Sequence, residues 1–181
     1  TMFHEFGHAL HGMFSEQKYV SLGGTAVARD FVEYPSQVHE MWASDPQILA
    51  NYARHHKTGQ PIPRDMIAKL QAASKYDQGY QFGEVVEAAL LDMKWHALTP
   101  AQAAAINTPA AVNAFENKAL TDLGLEVALV PPRYRSSYFR HIFASPTGYS
   151  AGYYSYLWTE MLDRDSRQWF IQNGGLTRAN G

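Results

Sequence analysis

There is no cysteine among the 181 residues. That absence removes disulfides and thiolate metal sites, so a metal ion here must be held by imidazole and carboxylate. Charge of neither sign dominates. Fifteen Lys and Arg stand against 17 Asp and Glu, a net charge of −2, with a pI near 6.4. Neither nucleic acid nor an anionic membrane surface is therefore expected as a partner. No apolar run approaches the roughly 18–20 residues needed to span a bilayer. Strand-like alternation does not persist anywhere, and there is no internal repeat or low-complexity tract. A signal-peptide pattern is also missing, and the chain opens inside a helical pattern with no cap before Thr1-Met2-Phe3. The expectation is an internal fragment of a longer, cytoplasmic protein whose N-terminal region and any targeting signal lie out of view.

What is present describes an ordinary globular chain. Apolar residues make up 46 % and charged residues 18 %, enough to build the core of a single domain. Helical periodicity recurs along the length. Residues 1–14 carry Phe3, Phe6, Leu10 and Met13 as an apolar stripe opposite a histidine face. The pattern breaks over 15–25 and resumes from Val27 through Trp42, with Pro35 as an expected kink. Further helices are predicted over 46–56, 64–74, 78–98, from Thr99-Pro100 onward, over 110–120, and from Tyr149 to Trp169. The fold class is mainly α. Gly7 and Gly12 each weaken the first helix by about 1 kcal/mol relative to Ala, which suggests that neighbouring backbone packs close to them.

The densest chemistry lies in His4-Glu5-Phe6-Gly7-His8. Two histidines four apart on a helix share one face, one turn apart. Their ring nitrogens can converge on a single ion at about 2.0–2.1 Å, which suits tetrahedral zinc. Glu5 lies about 100° round the helix, clear of the ligands, where it can act as general base toward water. This HExxH string is the motif of zinc peptidases. It still lacks a third protein ligand. The candidate oxygen donors downstream are Glu16, Asp30, Glu33 and Glu40. Glu16 falls where the chain leaves the first helix, whereas Glu33 is far enough on for the chain to reverse and pack antiparallel. A His₂Glu set with an open position is the arrangement expected for hydrolysis. The metzincin pattern fails, because Phe14 stands where its third histidine is required.

Three stretches, FHEFGHALHGMF, GGTAVARDFVEYPSQ and YFRHIFASPTGYSAGYYSYLWTEML, resemble the thimet oligopeptidase and peptidyl-dipeptidase family of zinc peptidases, most of all its bacterial peptidyl-dipeptidase and oligopeptidase A branches. They occur together in the family's order. The resemblance covers the whole chain, 1–181, as the C-terminal part of a metallopeptidase catalytic domain. It implies a zincin-like helical domain, a fragment of a larger two-lobed peptidase that takes short, unstructured peptides into a deep channel. His4, His8 and Glu33 match the metal ligands of one zinc ion per chain, and Glu5 matches the general base. His141 matches a histidine that contacts substrate and the developing oxyanion. Tyr149, Tyr153 and Tyr156 match tyrosines of a glycine-rich loop and the helix after it, Tyr156 as an oxyanion donor and the other two as substrate-binding residues. In place of the family's run of glycines, the spacer here is Ile142-Phe143-Ala144-Ser145-Pro146-Thr147-Gly148.

The other polar residues carry plainer readings. His11 shares a helix face with His4 and His8 but lies about 10.5 Å along the axis from His4, so packing suits it better than ligation. Asp30 is a candidate carboxylate partner for a ligand histidine. His39, His55, His56 and His96 read as surface or structural groups. Arg133, Arg135 and Arg140 read as a solvated basic patch rather than a carboxylate fork, and Glu84, Glu87 and Asp92 as one polar helix face. The function these observations favour is zinc-dependent hydrolysis of short oligopeptides with release of C-terminal dipeptides. The alternatives are an oligopeptide endopeptidase, an aminopeptidase, and a helical fragment inactive without its N-terminal lobe.

Overall fold

The structure is a computed structural model and describes residues 1–181. Nine α-helices follow in order: α1 Met2–Met13, α2 Tyr34–Glu40, α3 Pro46–Tyr52, α4 Arg64–Ala73, α5 Gln78–His96, α6 Pro100–Ala105, α7 Pro109–Asp122, α8 Arg140–Phe143 and α9 Ser155–Gln172. There are no strands beyond two isolated bridges, Arg54 with Pro61 and Val127 with Val130. No helix is long and apolar enough to cross a membrane. The chain divides into two compact units, residues 1–78 with 158–181, and residues 79–157.

In the first unit, α1 and α2 pack antiparallel. His39 Nδ1 lies 2.7 Å from the Phe3 carbonyl, Gly7 abuts Ser36, and the His11 ring meets Phe31 edge to face. The predicted helix from Val27 does not form. Residues 28–33 instead run through successive turns, with Phe31 N–H bonding to the Ala28 carbonyl and Tyr34 N–H to that of Phe31. Pro35 does not kink a helix but starts one, sitting in the first turn of α2, where its missing N–H costs nothing. On α1 the expected apolar stripe is only partly covered, since Phe6 and Met13 are exposed. The histidine face is the one that meets α2. From α9, Ser166 bonds the Tyr34 hydroxyl at 2.7 Å, and Phe170 meets Trp42 edge to face.

α9 also buries Asp163 in a cleft lined by Gln37, Glu40, Glu160, Arg164 and Arg167. Asp163 is 8 % exposed, and its Oδ1 has no hydrogen-bond partner. Burial pushes Asp163 up to about 6, opposed by Arg164 and reinforced by Glu160. A raised acid pKa means that the native state holds a proton which the unfolded chain releases near pH 4. Stability therefore falls as pH rises from about 4 to 6, and the full cost is present above that window. Asp163→Asn is expected to raise the melting temperature at pH 7.5 by the equivalent of at most about 3 kcal/mol, less the screening by solvent. Nearly all of the gain should vanish at pH 4. Equal melting temperatures at pH 7.5 would show that no buried charge is being relieved.

The second unit has a compact aromatic core. Ala88 and Ala89 of α5 meet Phe139, Ile142 and Tyr153, with Val85, Trp95, Tyr134, Tyr149, Tyr156 and Leu157 packed around them. Helix starts follow their sequence signals: Thr99 and Gln102 form a reciprocal capping box on α6, and Thr108 caps α7 ahead of Pro109. α7 ends at Gly124, whose φ of +69° lets the Leu125 N–H turn back to the Leu120 carbonyl. Two buried carboxylates organise the loops of this unit. Glu116 bonds the Arg135 guanidinium and accepts the Ser136 N–H at 2.6 Å. Asp92 is fully buried rather than part of a polar face with Glu84 and Glu87. The last helix starts at Ser155, not Tyr149, because residues 149–154 form turns.

Candidate metal centre

α1 places His4 and His8 one turn apart, with ring centroids 5.0 Å apart and planes at 85°. Glu33 is the residue that leads into α2. Its carbonyl accepts the Gln37 N–H at 2.9 Å, while its side chain turns toward α1. Gly7 makes this approach feasible, since a Cβ there would stand 2.6 Å from Ser36 Cα. As a result Glu33 Oε2 lies 3.2 Å from His4 Nε2 and 3.2 Å from His8 Nε2. One ligand atom from each of the three residues falls within 4.8 Å of the other two. Glu33 is 2 % exposed, and the Ser36 hydroxyl stands 3.3 Å from its Oε2. The predicted triad is thus brought together.

The donor chemistry fits a cation. Glu40 Oε2 lies 3.1 Å from His4 Nδ1. A neutral imidazole has one N–H. With that proton directed to Glu40, Nε2 is a bare lone pair facing a carboxylate oxygen. His8 turns its Nε2 to the same oxygen, and its buried Nδ1 has no partner within the chain. Where both Nε2 atoms present lone pairs, these donors call for positive charge among them, and two imidazoles with a carboxylate suit a divalent metal.

Glu40, rather than Asp30, is the carboxylate that stands against a histidine of the cluster, beside His4. It follows Glu33 by seven residues, two turns along α2, and that spacing is readable in the sequence once the helix start is known. Glu40→Ala is expected to weaken zinc binding by about 10–100-fold. A competition titration showing unchanged affinity would remove it from that role. Glu5 is exposed on α1, outside the set of converging donors. His11 is not among those donors either. It lines an apolar pocket of about 370 Å³ with Leu10, Phe14, Tyr34, Val38 and Trp42, and burial followed by the nearby His8 lowers its pKa.

The remaining predicted residues gather in the second unit. His141, on α8, stands in a nest of rings, 5.2 Å from Tyr134, 5.6 Å from Tyr153 and 6.0 Å from Tyr149 between centroids. Tyr149 stacks on Tyr156 at 5.3 Å and 20°. Tyr153 is 6 % exposed, and burial, then the neighbouring Tyr134, holds its hydroxyl above the usual range. Arg135 is committed to the buried Glu116, and Arg133 stands 3.5 Å from Glu84.

Taken together, the helical fold and the His₂Glu cluster define a helical protein with a candidate metal centre. The family model of peptidase family M3 matches residues 1–181, and the chain belongs to that family. It is 51 % identical over 181 residues to a dipeptidyl carboxypeptidase of Escherichia coli, covering 100 % of this chain and 26 % of the relative. It is 36 % identical over 186 residues to an oligopeptidase A of Salmonella typhimurium, covering 100 % of this chain and 26 % of the relative. A mitochondrial intermediate peptidase of Botryotinia fuckeliana is 32 % identical over 187 residues, 100 % of this chain and 22 % of the relative. The chain thus spans about a quarter of the length of these curated relatives.

Proposed function

We propose that this chain is the metal-binding part of the catalytic domain of a longer zinc peptidase, the parent protein below, which hydrolyses short peptides and releases C-terminal dipeptides. The observation that carries this reading is the convergence of His4 Nε2, His8 Nε2 and the buried Glu33 carboxylate on one point. The identity to a dipeptidyl carboxypeptidase favours dipeptide release. The identity to an oligopeptidase A favours internal cleavage as the second reading.

In this scheme His4, His8 and Glu33 hold one zinc ion, with Glu40 fixing the His4 ring. When bound, zinc supplies Lewis acidity that polarises a carbonyl and makes water nucleophilic at neutral pH. Glu5 takes a proton from the attacking water and later delivers it to the leaving amine. By the family resemblance, Tyr156 and His141 are assigned as donors to the carbonyl oxygen as negative charge develops there. Tyr149 and Tyr153 are assigned to the substrate side, Tyr153 from beneath the surface as part of the ring stack.

Elemental analysis and a peptidase assay, run on this chain and on the parent, test the reading. The expected result is one zinc per chain and cleavage by the parent of N-blocked but not C-amidated peptides. Cleavage of both in the middle would favour the endopeptidase. A parent without zinc would overturn the proposal, and an inactive isolated chain beside an active parent would place part of the substrate channel elsewhere in the longer protein.

A further inference from the structure

We propose that Asp92 is a positioning residue for the tyrosine segment: its buried carboxylate fixes the backbone of residues 149–154 and so sets where Tyr149 and Tyr156 stand. The catalytic consequence rests on the peptidase reading above; the anchoring itself does not.

Residues 144–154 contain no helix or strand, so their backbone groups cannot be satisfied by a regular ladder. Asp92 supplies what the ladder would. Oδ1 accepts the Ala151 N–H at 2.9 Å and Oδ2 the Tyr153 N–H at 2.8 Å. Oδ1 also lies 2.7 Å from His96 Nδ1, one turn along α5. A carboxylate with no solvent exposure is tolerated only when its oxygens are bonded in this way. Ala151 adopts φ +53°, a conformation that a residue with a Cβ visits only under constraint, and one bond holds its own N–H while the other holds that of Tyr153. The other end of the segment is tied to α8, where His141 resides. Tyr149 N–H bonds to the His141 carbonyl at 3.2 Å, and the Ser150 hydroxyl donates to the Ile142 carbonyl at 2.8 Å. The turn carrying the tyrosines is therefore clamped between α8 and one acidic side chain of α5. Without that side chain, two N–H groups in a packed region lose their acceptor and the Tyr149–Tyr156 stack loses its base.

Asparagine at this position keeps one acceptor but turns an NH₂ toward the other N–H, so Asp92→Asn breaks the clamp with little change in volume. In the zinc-loaded parent, Asp92→Asn, Tyr156→Phe and the double variant are compared by steady-state kinetics on a short N-blocked peptide, with hydrogen exchange followed over 149–154. Asp92→Asn is expected to lower kcat by about tenfold and to speed exchange of the Ala151 and Tyr153 amides by about tenfold or more. Zinc content should stay within about twofold, KM should rise by a few-fold as the substrate-side Tyr149 shifts, and the double variant should keep a kcat within about twofold of Tyr156→Phe alone. A carboxylate needed only for general stability would give losses that multiply, and multiplying losses overturn the proposal. Unchanged exchange at 151 and 153 overturns it as well. If Tyr156→Phe alone leaves kcat intact, the tyrosine part of the peptidase reading fails, and the exchange measurement decides Asp92 by itself.

Discussion

Glu5→Gln in the parent protein is expected to cut kcat by about 10²–10⁴-fold while zinc stays bound and KM barely moves. The size of the effect follows from what the side chain does. Glu5 adjoins His4 in sequence but is turned about 100° from it on the helix, and it does not belong to the converging donors. Glutamine has the same shape and keeps a hydrogen-bonding oxygen, but it cannot take a proton at neutral pH. The substitution therefore removes proton transfer and leaves the metal cage whole. Glu33→Gln is the contrasting control, because it withdraws the only formal negative charge from the donor set, and zinc content should fall with activity. Elemental analysis beside kinetics separates the two. An active Glu5→Gln enzyme would refute the general-base assignment, and a zinc-free one would place Glu5 in the cage.

The motif and its third partner were legible for different reasons. His4 and His8 obey a local rule, since an i, i+4 pair on a helix shares a face whatever the rest of the chain does. Glu33 depended on the chain reversing direction, which its distance from α1 allowed and the family resemblance supported. Its actual setting was harder to read. Val27, Phe31 and Val32 mimic a helical stripe, but residues 28–33 are turns and the helix begins only beside Pro35. That start decides which carboxylate serves His4. Glu40 continues along the helix that Glu33 opens, whereas Asp30 belongs to the turns before it. The tyrosines were misleading in a similar way. Positions 149, 153 and 156 have helical spacing, yet residues 149–154 are turns, and the Tyr149–Tyr156 stack is built on an irregular backbone. Asp92 gave no local signal at all. It sits on α5 near two exposed-looking acids, and its burial comes from partners 59 and 61 positions downstream. Long-range pairing of that kind leaves no periodicity to detect.

The close approach at Gly7 decides whether the centre exists, and its test has a sign that simple propensity gets wrong. Placing Ala in a helix interior in place of Gly normally stabilises by about 1 kcal/mol. At Gly7 the added Cβ would stand 2.6 Å from Ser36 Cα, 3.0 Å from His39 Cβ and 3.1 Å from the Pro35 carbonyl oxygen. Two of these three neighbours are backbone atoms, so no flexible side-chain tip can move aside, and α1 and α2 must separate. Overpacking of this kind costs about 1–3 kcal/mol, which cancels or reverses the propensity gain. The separation also carries Glu33, rooted in the backbone of α2, away from the two imidazoles. Gly7→Ala is therefore expected to lower the melting temperature and to weaken zinc binding by more than about tenfold, a shift of about 1.4 kcal/mol. Gly12→Ala, on the same helix but with no atom within 4 Å of its added Cβ, should raise stability by up to about 1 kcal/mol and leave the metal alone. Thermal melts and zinc competition on the two variants set packing against propensity directly. If Gly7→Ala proved as stable as Gly12→Ala and bound zinc as tightly, the contact at Ser36 would not be what brings Glu33 to the histidines.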